Sequence, residues 1–360
     1  MASISKSSDI SLHNFIVKEG NGIKGLVDSC LLEVPKMYIQ PIHERINKKE
    51  SKTCDMPPID LSKLNGKEHE KVVNEIVSAA ETLGFFQVVN HCVPLELLES
   101  LKDSAHRFYN MPAEKKVACK NSMMKYRTSF APEKENVLEW KDYIMMEYSS
   151  DEDALKYWPN ECKEDALEYL KLSSKIVRDI FELLIGRLGV ELDESKIEGL
   201  IGSKKVNMNY YPTCPNPELT VGVGRHSDLG IITVLLQDGI GGLYVKAEDD
   251  NDDGKGQWLA IPPISGALVI NVGDALQILS NGKYKSAEHR VMTTSTQSRV
   301  SIPLFTQPIP TWRIGPFPEL VKKDGFAKYK EVLWQDYINN FFTNPHEGKK
   351  SLDLAKINSA

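Results

Sequence analysis

The chain has 360 residues, of which 41% are hydrophobic and 26% charged, a composition typical of a globular protein that buries a sizeable core. Its net charge of −6 provides no positive field for a nucleic acid or an anionic membrane, so we expect neither partner and predict that the ligand is a small molecule. The six cysteines include no CxxC pair, which argues against a zinc cluster or a disulfide scaffold.

The N-terminal sequence MASISKSSDISLHNF lacks the apolar core of a signal peptide. No apolar run approaches the roughly 18 residues of a membrane helix, so we expect a cytoplasmic protein. The pattern of the sequence divides the chain into four regions. They are an N-terminal arm (1–56), a mostly helical region (57–200), a β core (201–312) and a C-terminal helix and tail (313–360).

Helical periodicity dominates the region before residue 200. The segment HEKVVNEIVSAAETLGFF places apolar residues three and four apart, which predicts a helix that Gly84 ends. A β-rich run, FFQVVNHCV, follows it. The next helix is predicted to begin at Pro94 and to end before Pro112, and DALEYLKLSSKIVRDIFELLIGRLGV repeats the helical pattern.

Short strands separated by proline and glycine turns replace this pattern from about residue 204 to 312. Such regular spacing is typical of a sandwich or jelly roll. The polar segment at 246–257 predicts a hairpin loop, and FAKYKEVLWQDYINNFF predicts a return to helix. The fold class is therefore α+β, with helices around a jelly roll. The predicted strands are KKVNMNYYP, ELTVGVGRHSD, ITVLLQD, GLYVK, WLAIPP, ALVINVG, KSAEHRVMT and SRVSIPLFT.

The segment VGVGRHSDLGIITVLLQ places His226 and Asp228 on the same face of a strand. An isolated HxD pair is common by chance, so a metal site needs a third ligand. Downstream, His289 lies in a predicted strand and His346 lies beyond the last helix, which makes His289 the better choice. Two histidines and one carboxylate leave coordination positions open, as in non-haem Fe(II) oxygenases, although a zinc hydrolase is an alternative.

A carboxylate-binding pair is predicted close to this third ligand. We interpret HRVMTTSTQSRVS as a hairpin centred on residue 294, which pairs His289 with Arg299 and puts Ser301 on the same face. The planar fork of an arginine matches a carboxylate, although a surface ion pair would explain a lone hairpin arginine equally well. Alternation along RVSIPLF also turns Phe305 inward, as an aromatic wall or a plain core residue.

These residues, preceded by NYYPTCPNPEL, resemble the plant 2-oxoglutarate- and Fe(II)-dependent dioxygenases. The resemblance covers nearly the whole chain, because MPPIDLSKL, ETLGFFQVVNH, RFYNMPAEKK and EWKDY are similar to that family's N-terminal portion. It implies a distorted double-stranded β-helix, which is a jelly roll, with N-terminal and flanking helices. This architecture agrees with the one predicted from periodicity.

The resemblance also implies the reaction and the roles of the site residues. Members of the family couple oxidative decarboxylation of 2-oxoglutarate by O2, yielding succinate and carbon dioxide, to oxidation of a second substrate, and we expect ascorbate to support turnover. The implied iron ligands are His226, Asp228 and His289. The implied 2-oxoglutarate ligands are Arg299, Ser301, Tyr211 and Asn209. The implied substrate-pocket residues are Phe305, Tyr143 and Asn207.

Several stretches are most similar to the coumarin-pathway branch of the family, among them LSNGKYKSAEHRV and NPHEGKKSLDLAK. This similarity implies a planar phenolic substrate, and the segments TCDMPPIDLSKLNG and GFAKYKEVLWQDYINNFF favour 8-hydroxylation of scopoletin to fraxetin. The alternative is ortho-hydroxylation of feruloyl-CoA or p-coumaroyl-CoA, which leads to scopoletin or umbelliferone. An acidic chain without a glycine-rich phosphate loop slightly favours the free phenolic. A non-catalytic binding protein on the same fold is an alternative of another class, and in each case we expect a monomer.

Overall fold

A computed structural model of the protein describes residues 11–45, 51–129, 137–247, 256–343 and 348–357. Within them, two main β-sheets face each other and helices cover the outer side of the larger one. The predicted jelly roll with flanking helices is confirmed.

The larger sheet has eight strands in the order β2-β3-β11-β8-β13-β6-β5-β4, and the smaller has five in the order β1-β10-β9-β12-β7. A short two-stranded sheet joins β14 to β15. Each strand predicted between residues 204 and 312 is present, and β9 and β10 form the predicted hairpin, although residues 248–255 of its loop lie outside the described residues. The strands are β1 (Lys52–Thr53), β2 (Ile59–Asp60), β3 (Phe85–Val89), β4 (Met124–Thr128), β5 (Asp142–Tyr148), β6 (Ser203–Tyr211), β7 (Val223–His226), β8 (Ile232–Gln237), β9 (Leu243–Ala247), β10 (Gln257–Ala260), β11 (Leu268–Val272), β12 (His289–Val291), β13 (Arg299–Gln307), β14 (Arg313–Ile314) and β15 (Val332–Leu333).

The helices predicted before residue 200 are present, and Gly84 follows the first of them as predicted. Its φ is 71°, and a Cβ at this position would lie 1.9 Å from the carbonyl oxygen of Lys285, so the close approach of the backbone requires glycine. The α-helices are α1 (Gly22–Asp28), α2 (His69–Thr82), α3 (Leu95–Tyr109), α4 (Ala113–Ala118), α5 (Asp151–Tyr157), α6 (Lys163–Arg187), α7 (Glu194–Ile201), α8 (Asp274–Leu279), α9 (Pro318–Asp324) and α10 (Trp334–Thr343).

The main hydrophobic core lies between the larger sheet and the helices α3 and α6. Strand β13 contributes Val300, Ile302 and Leu304 to this core. The Tyr169 hydroxyl of α6 lies 3.2 Å from the carbonyl oxygens of Val234 and Ile302, which anchors the helix to two neighbouring strands. Because side chains alternate along a strand, the other residues of β13 face the smaller sheet.

The region predicted as mostly helical also contains β4 and β5, which the sequence pattern did not indicate. The two strands pair with each other, and β5 pairs with β6, so they extend the larger sheet. Apolar residues such as Ile144 and Tyr143 are buried on both faces of β5. A strand that is covered on both faces loses the alternation of polar and apolar residues by which strands are recognised.

The predicted C-terminal helix is shorter than its sequence pattern suggests. It begins only at Trp334, and the two residues before it form β15, which pairs with β14. Gly325, with a φ of 80°, ends the preceding helix α9. The backbone of 332–333 thus satisfies its hydrogen bonds in a sheet, which overrides the helical periodicity of the segment.

The predicted hairpin between His289 and Arg299 is wrong. His289 lies in β12 of the smaller sheet, where it pairs with His226 and Val245. Arg299 lies in β13 of the larger sheet, where it pairs with Tyr211. Consecutive strands of a jelly roll commonly cross from one sheet to the other, and here residues 292–298 make that crossing.

The N-terminal arm packs against the start of β5. The Asp142 carboxylate accepts hydrogen bonds from the first backbone amides of α1, at 2.8 Å from Ile23 and 2.9 Å from Lys24. Nearby, the rings of Tyr38 and Trp140 make an edge contact with centroids 5.1 Å apart. Burial raises the pKa of Asp142 to about 6, against the opposing effect of the two amides.

The raised pKa makes stability depend on pH. Because the folded state holds the proton of Asp142 more tightly than the unfolded state does, the stabilisation present at low pH is lost as pH rises through about 6. Between about pH 5 and pH 8, wild type should therefore lose about 1.4 kcal/mol more of its free energy of unfolding than Asp142→Asn. Urea unfolding at both pH values measures this difference, with the exposed Asp103→Asn as control. The same pH dependence in wild type and Asp142→Asn would contradict it.

Candidate active site

A cavity of about 150 Å³ lies between the two sheets and opens beside α10. Both sheets contribute to its lining, together with the turn that follows β7. All ten residues implied as site residues line it. They are His226, Asp228, His289, Arg299, Ser301, Tyr211, Asn209, Phe305, Tyr143 and Asn207.

Three of these side chains converge as a possible metal site. One ligand atom from each of His226, Asp228 and His289 lies within 4.8 Å of the others. The Nε2 atoms of His226 and His289 are 3.7 and 3.8 Å from Asp228 Oδ1. Because the two histidines are direct partners across β7 and β12, strand pairing alone brings their rings to a centroid distance of 4.2 Å. His346, the other histidine considered as a third ligand, lies outside the described residues.

Hydrogen bonds orient each of these donors towards the shared space. His226 Nδ1 lies 2.9 Å from the Gly224 carbonyl oxygen and His289 Nδ1 lies 3.3 Å from that of Ala287, an arrangement in which Nδ1 carries the proton and Nε2 offers its lone pair.

The Asp228 carboxylate is oriented in a similar way. Its Oδ2 accepts from Thr233 Oγ1 at 2.6 Å and from Asn271 Nδ2 at 2.7 Å, which leaves Oδ1 facing the histidines. Two neutral imidazoles and one carboxylate on one side of a cavity suit Fe(II) with open coordination positions.

A buried ion pair supports the strand that carries His226. Lys141 Nζ lies 3.0 Å from Glu139 Oε2, and both side chains are almost fully buried. Glu139 Oε1 accepts from the backbone amide of Gly224 at 2.8 Å, and the carbonyl of this same glycine contacts His226 Nδ1. Burial lowers the pKa of Lys141, but Glu139 and the neighbouring tyrosines outweigh this effect, so the lysine stays charged.

A second buried network connects the site to α10. Asp274 accepts hydrogen bonds from Ser227, Ser286 and Tyr337 at 3.1, 2.7 and 2.8 Å. Ser227 separates the two ligands of the HxD motif, and its side chain points away from the cavity, as alternation predicts. Burial raises the pKa of Asp274, although the three hydroxyl groups oppose this effect. The network fixes the backbone between His226 and Asp228.

Arg299 lies on the cavity wall, and part of its guanidinium group has no hydrogen-bond partner among the described residues. Its side chain is only 1% exposed, and its Nη2 donates to Gln237 Oε1 at 3.2 Å. Its Nε and Nη1 have no hydrogen-bond partner among the described residues. Leaving donors of a buried cation unsatisfied is costly, so this guanidinium fits a carboxylate ligand.

Three neighbours of Arg299 add further polar groups that a carboxylate ligand could contact. Ser301 Oγ lies 3.4 Å from both Asn209 Nδ2 and the Tyr211 hydroxyl. The Tyr211 ring lies 5.1 Å from the Arg299 guanidinium carbon. The four residues thus form a polar patch that suits the distal carboxylate of 2-oxoglutarate.

Several supporting residues were not predicted. Thr233 and Gln237 are polar residues in the otherwise apolar strand ITVLLQ, and Asn271 is a polar residue in LVINV. A polar residue in a buried strand needs a hydrogen-bond partner, so these positions could have been recognised from the sequence as supporting residues. Glu139 had no such signal, because its contact with Gly224 joins segments that are distant in the sequence.

Comparison with known proteins identifies the family. Residues 203–308 match the model of the 2OG-Fe(II) oxygenase superfamily, and residues 56–165 match the model described as the N-terminal part of non-haem dioxygenases in morphine synthesis. The crystal structure of JOX2 in complex with 2OG, Fe and JA superposes with a TM-score of 0.79 and 31% identity, over 93% of this chain and 97% of JOX2. A rice dioxygenase for auxin oxidation, 23% identical, shares the fold with a TM-score of 0.69 over 84% of this chain and all of that one.

Two curated relatives match over nearly their full length. Scopoletin 8-hydroxylase of Arabidopsis thaliana is 58% identical, over 96% of this chain and 97% of the relative. A feruloyl CoA ortho-hydroxylase of Ipomoea batatas is 49% identical, over 97% of both chains. The chain belongs to the 2OG-Fe(II) oxygenase superfamily. It is a 2-oxoglutarate-dependent dioxygenase that uses Fe(II), 2-oxoglutarate and O2, and this confirms the enzyme interpretation over that of a non-catalytic binding protein.

Among the described residues, no helix combines the length and the apolar character that crossing a membrane requires.

The position of Asp228 between the two histidines predicts that Asp228→Ala loses measurable Fe(II) binding, because the cluster of His226, Asp228 and His289 then loses its carboxylate. Anaerobic equilibrium dialysis with Fe(II) measures this loss directly. Asp103→Ala, which removes an exposed carboxylate from α3, is the control. Unchanged iron affinity in Asp228→Ala would show that the metal lies elsewhere.

Proposed function

We propose that this dioxygenase hydroxylates a planar phenolic compound, and that its substrate is scopoletin, hydroxylated at position 8 to give fraxetin. The observation that carries this proposal is the 58% identity to a scopoletin 8-hydroxylase over nearly the whole length of both proteins. Relatives named for feruloyl CoA ortho-hydroxylation reach 45% to 49% identity. These values favour ortho-hydroxylation of feruloyl-CoA or p-coumaroyl-CoA as the second candidate.

In this proposal, His226, Asp228 and His289 hold the metal through the two Nε2 atoms and Oδ1. Fe(II) bound there supplies the oxidation of 2-oxoglutarate by O2 that is coupled to hydroxylation of the organic substrate. The hydrogen bonds to Nδ1 and Oδ2 keep these three donors in place before any ligand enters. The protein therefore holds the three donor atoms in place on one side of the metal position and leaves the other side open to ligands.

Arg299 and Ser301 bind the distal carboxylate of 2-oxoglutarate, and Asn209 and Tyr211 donate further hydrogen bonds. The two unsatisfied nitrogens of Arg299 support this assignment. A fixed distal carboxylate positions the keto-acid end towards the metal and leaves the other side of the cavity for the organic substrate.

Phe305, Tyr143 and Asn207 form the substrate side of the cavity. Phe305 offers an aromatic face against which a planar phenol can stack. Asn207 Oδ1 is buried and has no hydrogen-bond partner among the described residues, so it is available to accept a hydrogen bond from a substrate hydroxyl.

A monomeric state, a cytoplasmic location, the four-region division and support by ascorbate stay predictions from the sequence.

The role of Arg299 predicts that Arg299→Ala raises the KM for 2-oxoglutarate by about ten- to hundredfold, because charged hydrogen bonds to the carboxylate are lost. Arg299→Lys should lie between wild type and Arg299→Ala, since it keeps the charge without the planar fork. Succinate release measures KM, and the exposed Arg313→Ala is the control. An unchanged KM for 2-oxoglutarate in Arg299→Ala would contradict this role.

The choice of substrate is tested by a panel of scopoletin, feruloyl-CoA and p-coumaroyl-CoA with Fe(II) and 2-oxoglutarate. We expect one added oxygen in the scopoletin product, detected as a mass shift, and succinate formed in proportion. Turnover of a CoA thioester without turnover of scopoletin would replace the first candidate by the second. Absence of turnover with all three compounds would exclude both.

A further inference from the structure

Lys205 places a positive charge on the substrate side of the cavity. It lies on β6 directly opposite Phe305 of β13, and both side chains line the cavity. On its outer side, the Lys205 ammonium lies 5.9 Å from the centre of the Phe342 ring, which α10 contributes. The lysine thus lies beside Phe305 on the neighbouring strand and close to the Phe342 ring of the C-terminal helix.

No carboxylate of the described part of the chain forms an ion pair with Lys205. Its neighbour across β5 is Glu147, but Glu147 Oε1 accepts from Lys125 Nζ at 3.2 Å. Burial lowers the pKa of Lys205, and Glu147 opposes this effect only in part. Partial burial of an ammonium that has no ion pair with a described carboxylate costs free energy, which an anionic ligand would offset.

Among the charged side chains that line the cavity, Lys205 is the one whose charge is not balanced by an opposite charge of the described residues or of the bound metal and 2-oxoglutarate. The charged lining residues are Lys141, Lys205, Asp228 and Arg299. Glu139 neutralises Lys141. With Fe(II) and the dianion 2-oxoglutarate bound, Asp228 and the two carboxylates balance the metal and Arg299. The loaded site therefore keeps one positive charge, which Lys205 carries.

We propose that Lys205 binds the ionised phenolic oxygen of the substrate while the aromatic ring of the substrate stacks on Phe305. Partners opposite each other in adjacent strands have Cβ atoms about 5 Å apart, so an ammonium on one reaches the edge of a ring stacked on the other. This inference rests on the proposed phenolic substrate and adds that the phenol binds as its anion.

The test compares Lys205→Met with wild type in the full-length enzyme loaded with Fe(II) and 2-oxoglutarate under anaerobic conditions. Equilibrium binding is measured for scopoletin, for its O-methyl ether, which has the same ring system but cannot ionise, and for feruloyl-CoA. We expect the variant to bind scopoletin about tenfold more weakly, as loss of one charged hydrogen bond predicts, and to bind the ether as wild type does. Lys205→Arg should retain most of the affinity for scopoletin.

Lys204→Met is the matched control, because it removes a lysine from the opposite face of the same strand. An equal loss for scopoletin and its ether would overturn the proposal, since Lys205 would then act only through packing. A loss confined to feruloyl-CoA would also overturn it and assign the lysine to the phosphates of the thioester.

Because binding is measured without turnover, the inference and the proposed function can fail separately. Binding of scopoletin that depends on Lys205 without hydroxylation would refute the proposed function alone. Hydroxylation of scopoletin with affinity unchanged in Lys205→Met would refute the inference alone.

Discussion

The hydrogen bonds of Asp228 join the two main sheets beside the cluster of His226, Asp228 and His289. Asp228 follows β7 of the smaller sheet, whereas Thr233 and Asn271, which bind its Oδ2, belong to the larger sheet. One carboxylate therefore helps set the separation of the sheets and directs its second oxygen towards the histidines. The width of the cavity and the geometry of the metal site thus depend on the same interaction.

Much of this arrangement follows from local sequence patterns. Alternation along β13 correctly turned Arg299, Ser301 and Phe305 inward, and the HxD motif correctly placed His226 beside Asp228. Alternation is a property of neighbouring residues, so a sequence reveals it directly. The partner of a strand depends instead on the whole chain, and the hairpin interpretation failed for this reason. His289 and Arg299 still share a cavity because both face the interior between opposed sheets.

Strand β5 illustrates the limit of sequence patterns most clearly. One face presents Tyr143 to the cavity, and the other presents Asp142 to the N-terminal arm, so no polar face was visible in the sequence. Glu139 and Lys141 precede this strand and connect it to β7 of the other sheet. Residues that hold distant segments together could be identified only once the fold had brought these segments into contact.

The position of β7 at the edge of the smaller sheet has a further consequence. A strand at an edge normally exposes amides and carbonyls that can pair with a strand of another molecule. Here the Glu139 side chain accepts a hydrogen bond from the Gly224 amide, and the Gly348 amide donates to the Arg225 carbonyl oxygen at 3.0 Å. These two contacts cover the outer edge of β7 where the strand carries His226, so a foreign strand has fewer free amides and carbonyls to pair with at this edge.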